Sequence, residues 1–202
     1  PEFDPVARFL AGETDACPIE YSVKGQVEAM GGTVSTFAPD TVWVLALNQT
    51  IPGLEDTQIR RSLAQTVDRS LFTGYLPEHL QTTSLLIPPA VYLNGTSFRE
   101  LSSWENPLVF SPQEARQNYA DSLSRLGLSK VPLTELLICD QSSFALLAGM
   151  VQQGWQKYLA LPTGLVRLTE EELWERVSSG EYQAALLPLS ASSISPDSIL
   201  SY

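Results

Sequence analysis

Residues 48–69 have the sequence NQTIPGLEDTQIRRSLAQTVDR, and this stretch decides the order of elements in the chain. Pro52 and Gly53 break the strand that precedes them, and Asp56 is placed to cap the helix that follows. Apolar side chains then recur at helical spacing along one stripe, at Ile59, Leu63 and Val67. We therefore predict a strand, a turn and an amphipathic helix over residues 56–73 that packs on a sheet.

The composition indicates a folded protein that does not bind nucleic acid. Of the 202 residues, 44% are hydrophobic and 17% charged, which suits a globular core. The net charge of -11, with only 12 Lys and Arg residues, disfavours nucleic acid and anionic membranes, because both require a basic surface. No apolar stretch approaches the roughly 20 residues of a membrane helix, and we expect no signal peptide within residues 1–202. The chain begins abruptly at Pro1 and ends soon after Pro196, so we expect a piece of a longer protein.

The two cysteines, Cys17 and Cys139, lie far apart in the sequence. They could form one disulfide in a secreted protein or remain as two buried thiols, and the sequence leaves both possibilities open. Cys139 follows the apolar run 136–138, which favours a buried strand thiol. Since there is no Cys-x-x-Cys motif and no Cys/His cluster, we predict neither a metal site nor a cofactor.

Strand and helix patterns alternate through the second half of the chain, as in the βαβ units of an α/β sheet. We predict helices over residues 3–11, 22–30, 112–126, 142–158 and 169–177. We predict strands over residues 33–37, 41–47, 133–139, 165–168 and 182–189, and a further short strand to which residues 13–16 lead. Ser111 and Gly127 are predicted to cap the third of these helices, and Thr169 with Glu172 to form a capping box.

A long stretch over residues 74–110 is predicted to be irregular, since it is rich in proline and shows no sustained periodicity. Phe98 and Trp104 are expected to anchor this stretch by packing. His79, the only histidine of the chain, is interpreted as a surface or packing residue and not as a catalytic one.

The motif in residues 48–69 resembles the large extracytoplasmic solute-binding proteins of peptide and nickel ABC importers, known as family 5. That family has a strand ending in Asn, then Pro-Phe-x-Asp, Val-Arg-x-Ala-Leu and Ile-Asp-Arg. The corresponding residues here are Asn48, Pro52, Leu54, Asp56, Ile59-Arg60, Leu63 and Val67-Asp68-Arg69. Further matches lie at Gly12-Glu13, Ile87-Pro88-Pro89, Trp155-Gln156-Lys157 and Gly180-Glu181-Tyr182.

The resemblance covers nearly all of the chain and implies an α/β fold with a mixed sheet flanked by helices. Residues 1–202 are then expected to form a single ligand-binding lobe of a periplasmic-binding-protein clamshell of the class II type. The second lobe of the clamshell would come from sequence on either side. Arg60 and the pair Asp68-Arg69 are interpreted as tying the 56–73 helix to neighbouring loops through charge-assisted hydrogen bonds.

Two strand ends are candidate ligand sites, because ligands of open α/β sheets bind beyond the carboxyl ends of strands. The first is Cys139-Asp140-Gln141, which leads into the helix that carries Phe144. The free N–H groups at this helix start could receive an anionic or carbonyl group. The alternative, that Asp140 or Ser142 merely caps the helix, stays open.

The second strand end spans Leu186 to Ser193. The resemblance implies that Leu189 stands where peptide-binding relatives have Trp. It also implies that Ser192 stands where they have the Asp that holds the peptide's α-ammonium. Ser192 cannot supply that charge, although a buried ammonium requires an anionic partner. Three explanations stay open: the ligand lacks a free amine, another residue supplies the negative charge, or the protein has departed from peptide import. The candidate ligand-binding residues are Cys139, Gln141, Phe144, Leu186, Leu189, Ser190 and Ser192.

The resemblance implies a substrate-binding component of an ABC importer of the peptide or oligopeptide type. A monomer would capture a small solute or peptide between two lobes and deliver it to the permease. The full-length protein is expected to be periplasmic or a cell-surface lipoprotein. The alternative is a ligand-sensing domain of a cytoplasmic transcription regulator. We expect no enzyme, since most carboxylates fall at helix starts and no phosphate-binding glycine loop occurs.

Overall fold

The computed structural model describes residues 4–19, 23–35, 40–76, 80–101, 108–140 and 142–190, excluding the side chains of Ser142 and Ser143. The chain divides into two compact units, residues 1–38 and residues 39–202. Within the described residues, the smaller unit contains helix α1, Pro5–Leu10, and helix α2, Lys24–Ala29. Both helices confirm their predictions.

The smaller unit contains no strand within its described residues. The short strand predicted to follow residues 13–16 is absent at residues 17–19, and residues 20–22 lie outside the described part of the chain. The strand predicted over residues 33–37 is wrong at residues 33–35. Residues 36 and 37 lie outside the described part of the chain. The physical reason is that a β pattern becomes a strand only where a second strand completes its hydrogen-bond ladder.

The larger unit is built on a four-stranded mixed sheet. The strands of this unit are β1 (Thr41–Leu47), β2 (Tyr92–Leu93), β3 (Thr96–Ser97), β4 (Glu135–Cys139), β5 (Gly164–Leu168) and β6 (Ala184–Ser190). The sheet has the order β1-β6-β4-β5, in which β6, β4 and β5 run parallel and β1 pairs antiparallel with β6. Strands β2 and β3 form a separate hairpin. The predicted α/β fold with a mixed sheet is therefore confirmed.

Helices cover both faces of this sheet. They are α3 (Thr57–Gln65), α4 (Phe98–Leu101), α5 (Pro112–Leu126), α6 (Ser142–Leu159) and α7 (Glu170–Ser178). On one face, called the α6 face, the core contains residues of α3, α5 and α6 packed on Leu136 and Ile138 of β4. On the other, called the α7 face, Leu173 packs with Leu137, Cys139 and residues of β6. Alternate side chains of each strand thus enter two separate cores.

The predicted helix over residues 56–73 is confirmed in its first half and wrong in its second. Helix α3 ends at Gln65, and a 3-10 helix, Arg69–Gly74, follows after a break. The Thr66 hydroxyl donates to the Leu63 carbonyl at 2.8 Å, and the Asp68 carboxylate caps the 3-10 helix by accepting from Ser70 N–H. Side-chain hydrogen bonds therefore replace the backbone bonds that would continue the α-helix.

Asp56 caps α3 as predicted, since its Oδ1 accepts from the Ile59 N–H at 3.0 Å. Its Oδ2 accepts from Arg125 Nη2 at 2.6 Å, which joins the start of α3 to the end of α5. The hydrogen bond from Arg125 is the main cause that holds the pKa of Asp56 below its usual value, assisted by the Ile59 N–H. Arg60 donates to the carbonyls of Leu54 and Glu55, as predicted for a residue that ties the helix to its loop.

The other predicted caps have mixed outcomes. Gly127 ends α5 in the left-handed conformation, with φ of 67°, and Thr169 with Glu172 forms the capping box of α7. Ser111 occupies the N-cap position of α5, but its side chain makes no capping hydrogen bond. Its N–H instead donates to the carbonyl of Gln65 at 3.0 Å. This contact connects α5 to the end of α3.

The stretch predicted to be irregular contains regular structure in its described residues. The hairpin of β2 and β3 turns at Asn94 and Gly95, which both have positive φ, and α4 follows directly. Phe98 packs against the α7-face core, as predicted for an anchor. His79 and Trp104 lie outside the described residues. The Asn-Gly dipeptide favours a two-residue hairpin turn, and this local signal explains the difference.

Helices α3 and α6 approach each other closely around Gly154. A Cβ placed on Gly154 would lie 2.6 Å from the carbonyl oxygen of Thr66, so only glycine fits the present spacing. The next residue, Trp155, is fully buried, and its Nε1 donates to the Leu63 carbonyl at 3.0 Å. The Leu63 carbonyl therefore receives two side-chain donors, one from the Thr66 hydroxyl and one from the indole.

Both cysteines are free thiols, and Cys139 is buried in the sheet as predicted. Among the described residues, no helix combines the length and the apolar character needed to cross a membrane.

Candidate ligand-binding site

The three parallel strands end at one edge of the sheet, where the antiparallel β1 begins. Cys139 is paired with Leu168 at the ends of β4 and β5, and Ser190 ends β6 opposite Thr41, the first residue of β1. The helices α6 and α7 start directly beyond this edge. We call it the carboxyl edge. It is the position at which open α/β sheets bind their ligands.

A chain of polar groups crosses the carboxyl edge between β1 and β6. The hydroxyl oxygens of Thr41 and Ser190 lie 2.8 Å apart, and the Thr41 hydroxyl also lies 3.1 Å from Oδ1 of Asp40, to which it donates. The antiparallel register accounts for this arrangement, because directly paired residues point to the same face of the sheet. The edge therefore presents two hydroxyls and one carboxylate side by side.

An aromatic pair lies on the same face, next to these polar groups. The ring of Phe144, in the first turns of α6, stacks on the ring of Trp43 with centroids 3.6 Å apart and planes inclined by 16°. Trp43 lies two residues after Thr41 and is paired with Pro188 of β6. Both aromatic residues are partly exposed. The edge thus combines an apolar surface with hydrogen-bonding groups, which is the usual composition of a ligand site.

The structure places the sequence-predicted candidates in three groups. Phe144 and Ser190 lie at the carboxyl edge, and Leu186 lies further back on the α6 face, packed against its core. Cys139 and Leu189 belong to the α7-face core, where only 6% and 9% of their surfaces remain exposed. The remaining two, Gln141 and Ser192, lie outside the described residues. The structure therefore brings Phe144 and Ser190 together with Asp40, Thr41 and Trp43, which the sequence did not indicate.

Carboxylates outnumber cations at the carboxyl edge. Around the described strand ends and the helix starts that follow them lie Asp40, Asp140, Glu170, Glu171 and Glu172, and one cation, Arg167. Arg167 Nη1 is 3.8 Å from Asp140 Oδ1, and both side chains are more than half exposed. Hydrogen bonds from the backbone and hydroxyl of Thr169 hold the pKa of Glu172 below its usual value. The edge therefore carries a negative field.

The opposite edge of the sheet carries a network that links strands and loops. The amide nitrogen of Asn48 donates to the carbonyls of Gly180 and Tyr182 at 3.1 and 2.7 Å, and its oxygen accepts from both the N–H and the hydroxyl of Thr50. Gln183 Oε1 accepts from the N–H groups of Thr134 and Glu135. These groups are satisfied by protein partners, which indicates a structural role for this edge.

A shallow depression of about 480 Å³ lies at the end of α6 that is remote from the carboxyl edge. Its lining consists of Gln152, Gln153, Gln156, Lys157, Pro162 and Thr163. The side chain of Gln152 donates to the carbonyl of Thr163 across it. It contains no acidic or aromatic group, and we do not place the ligand there. No group of three His, Cys, Asp or Glu residues that could hold a metal ion occurs among the described residues.

Comparison with protein families identifies one match that spans the chain. A sequence model described as bacterial extracellular solute-binding proteins, family 5 Middle, matches residues 4–202. A comparison with curated protein sequences found no significant match.

Solved structures share the fold at low sequence identity. A substrate-binding domain of an oligopeptide ABC transporter from Bacillus anthracis matches 97% of this chain with 17% identity and a TM-score of 0.74. The pheromone receptor PrgZ, studied for its mode of peptide binding, matches 98% with 19% identity and a TM-score of 0.72. OppA of Burkholderia pseudomallei matches 96% with 18% identity and a TM-score of 0.69. The chain spans only 38–39% of the length of these three proteins.

Proposed function

The chain belongs to family 5 of the bacterial extracellular solute-binding proteins, and from this premise we propose that it is the peptide-capturing lobe of a binding protein that serves an ABC importer. Three structural relatives are named for oligopeptide transport or peptide binding, which supports a peptide as the ligand class. Because the chain spans only 33–39% of the length of these three relatives, the complete protein would supply a facing lobe.

The observation that carries the proposal is the Trp43–Phe144 stack beside the hydroxyl groups of Thr41 and Ser190 at the carboxyl edge. An extended peptide offers side chains that require apolar surface and a backbone that requires hydrogen-bond partners. The aromatic pair provides the first, and the hydroxyls provide donors and acceptors for the second. All of these groups lie within the larger unit, residues 39–202.

Capture would be non-covalent and would depend on closure of two lobes. A peptide held at the carboxyl edge would be covered when the facing lobe closes over it, which removes water from its polar contacts. The permease would then receive the ligand from the closed form. Within this scheme the present lobe positions the peptide and contributes binding free energy, and no bond in the ligand needs to change.

Thermal-shift measurements on the protein in its full natural length would test the proposal. The panel would contain tri- to pentapeptides, N-acetylated peptides, nickel chelates and oligosaccharides. A ligand present at a hundredfold excess over Kd stabilises the native state by about 2.7 kcal/mol, so a peptide ligand should raise the midpoint clearly. A shift with oligosaccharides or nickel chelates alone would refute a peptide-binding function.

A matched pair of substitutions on contacts of α6 locates the site. Phe144→Leu keeps an apolar side chain but removes the stack with Trp43, whereas Phe110→Leu removes the edge contact with Tyr158 near the other end of α6. A contact between the Phe144 ring and an aromatic or apolar ligand side chain is worth about 0.5–1.5 kcal/mol beyond its buried area. We expect Phe144→Leu to weaken peptide binding roughly three- to tenfold and Phe110→Leu to leave it unchanged. If both substitutions change the Kd for the peptide by the same factor, the ligand does not bind at the carboxyl edge.

A further inference from the structure

The tip of the β2–β3 hairpin carries an Asn-Gly pair on which no other part of the described chain packs. The turn consists of Asn94 and Gly95 alone, since Leu93 and Thr96 are paired on either side of it. Both turn residues are exposed, and a Cβ placed on Gly95 would meet no other part of the chain within 4 Å. Among the described residues, no hydrogen bond holds the Asn94 side chain. Local opening of the backbone at such a tip costs little free energy.

This pair brings a nucleophile next to an electrophile. The Gly95 backbone nitrogen can attack Cγ of the Asn94 side-chain amide, because the two atoms close a five-membered ring. The attack requires rotation about the Asn94 Cα–C bond and a close approach of the nitrogen to Cγ. A side chain on the residue after asparagine hinders that approach, and glycine has none. The open space around Gly95 leaves room for the rotation.

We propose that Asn94 is a site of spontaneous deamidation, with water as the only other reactant. The Gly95 nitrogen forms a bond to Asn94 Cγ and loses its proton, while the Cγ–Nδ2 bond breaks and the amide nitrogen leaves as ammonia. Water then opens the cyclic imide. Cleavage of the ring at Cγ leaves aspartate, and cleavage at the backbone carbonyl carbon leaves isoaspartate, whose main chain runs through Cβ and Cγ. No group is oxidised or reduced.

The two products change the hairpin differently. Aspartate adds a negative charge and keeps the turn, because Asp, like Asn, tolerates the positive φ of 52° at this position. Isoaspartate adds one main-chain carbon to a two-residue turn, and the length of the turn sets the register of a hairpin. The hairpin is tied to the core at its base, where the Phe98 N–H donates to the carbonyl of the fully buried Val91 at 3.0 Å. Isoaspartate therefore loosens a segment that packs on the α7 face.

Asn48 is a control within the same chain. Its amide nitrogen donates to the carbonyls of Gly180 and Tyr182, its oxygen accepts from Thr50, and only 7% of its surface is exposed. The residue that follows it is Gln49, which has a side chain. Deamidation at Asn48 requires these hydrogen bonds to open first, so its rate is limited by a rare local opening.

The test incubates the protein of full natural length at mildly alkaline pH, with and without guanidinium chloride. Peptide mapping by mass spectrometry follows the replacement of each side-chain –NH₂ by –OH. An isoaspartate-specific methyltransferase then labels the isoaspartate product. The variant Asn94→Gln is treated in the same way, because its longer side chain does not close the five-membered ring.

We expect Asn94 to react at least about tenfold faster than Asn48 in the folded protein, and the isoaspartate label to be absent from position 94 of Asn94→Gln. Unfolding in guanidinium chloride should accelerate Asn48 by a larger factor than Asn94, because only Asn48 loses protecting hydrogen bonds. If Asn94 stays intact in the folded protein and reacts only after unfolding, the turn holds the Gly95 nitrogen away from Cγ and the proposal is refuted. Equal rates at Asn94 and Asn48 in the folded protein would refute it as well.

Discussion

The close approach of α6 to the end of α3 leads to a sharp prediction for two glycines of one helix. A Cβ on Gly154 would lie 2.6 Å from the backbone oxygen of Thr66, whereas a Cβ on Gly149 would meet no atom within 4 Å. In each case alanine improves the helix propensity of α6 by about 1 kcal/mol. At Gly154 this gain is opposed by the forced displacement of a buried backbone, which costs about 1–3 kcal/mol in packed cores.

We therefore expect Gly149→Ala to stabilise the protein by about 0.5–1 kcal/mol and Gly154→Ala to destabilise it by up to about 2 kcal/mol, so that the two variants differ by about 1–3 kcal/mol. Urea unfolding followed by far-UV circular dichroism measures the unfolding free energy of both variants and of the wild-type protein. Their midpoints are compared directly where the m-values are equal. Because the two substitutions have the same chemistry on the same helix, propensity cancels in their difference. A Gly154→Ala variant within 0.5 kcal/mol of Gly149→Ala would show that the helices can separate without cost, which would refute the argument.

Three further predictions concern hydrogen bonds of the larger unit. Asp56→Ala should lower the unfolding free energy at pH 7 by about 1–2 kcal/mol. The pKa of Asp56 is lowered in the folded state, so the loss of stability in Asp56→Ala should be present above the unfolded-state pKa and should disappear as the pH falls through the folded-state pKa. Urea midpoints of the wild-type protein and the variant, compared at pH 7 and at about pH 2.5, test whether the difference shrinks at low pH. The Trp155 indole and the Thr66 hydroxyl donate to the same acceptor, the Leu63 carbonyl, so either donor alone still satisfies it. The double variant Trp155→Phe/Thr66→Val should therefore lower the unfolding free energy by about 1–2 kcal/mol more than the sum of the two single variants. Additivity within about 0.5 kcal/mol would contradict this. Asn48→Ala should cost about 1–3 kcal/mol, because it leaves the part-buried carbonyls of Gly180 and Tyr182 without this donor, and an unchanged thermal midpoint would argue against this role of Asn48.

The parts of the fold that were predictable from sequence are those with local causes. The caps at Asp56, Gly127 and Thr169 depend on residues within one turn of the helix end, and all three are observed. The end of α3 was not predictable from its apolar stripe. Val67 continues that stripe and is buried in the core, although the backbone has already left the helix. Burial selects an apolar residue there, and side-chain hydrogen bonds decide the conformation.

The site was predictable only in part, because its assembly depends on strand pairing. Phe144 could be placed at a strand end from the order of elements alone. Trp43 and Thr41 could not, since no local signal shows that β1 joins the sheet antiparallel beside β6. That pairing is the step that brings the start of β1 to the carboxyl edge. Aromatic and hydroxyl residues at the beginning of a strand are ordinary until the partner strand is known.

The position of β6 in the middle of the sheet constrains the order in which the protein can fold. β6 is the last described strand along the chain, yet it lies between β1 and β4. The residues it joins to β1 are far apart in sequence, with Thr41 and Ser190 separated by 149 positions. During synthesis β1 must wait for most of the larger unit before it finds its partner, and loop closure over such a distance is slow. Until β6 is made, the edges of β1 and β4 that it will join remain unpaired, and unpaired strand edges are sites at which aggregation begins.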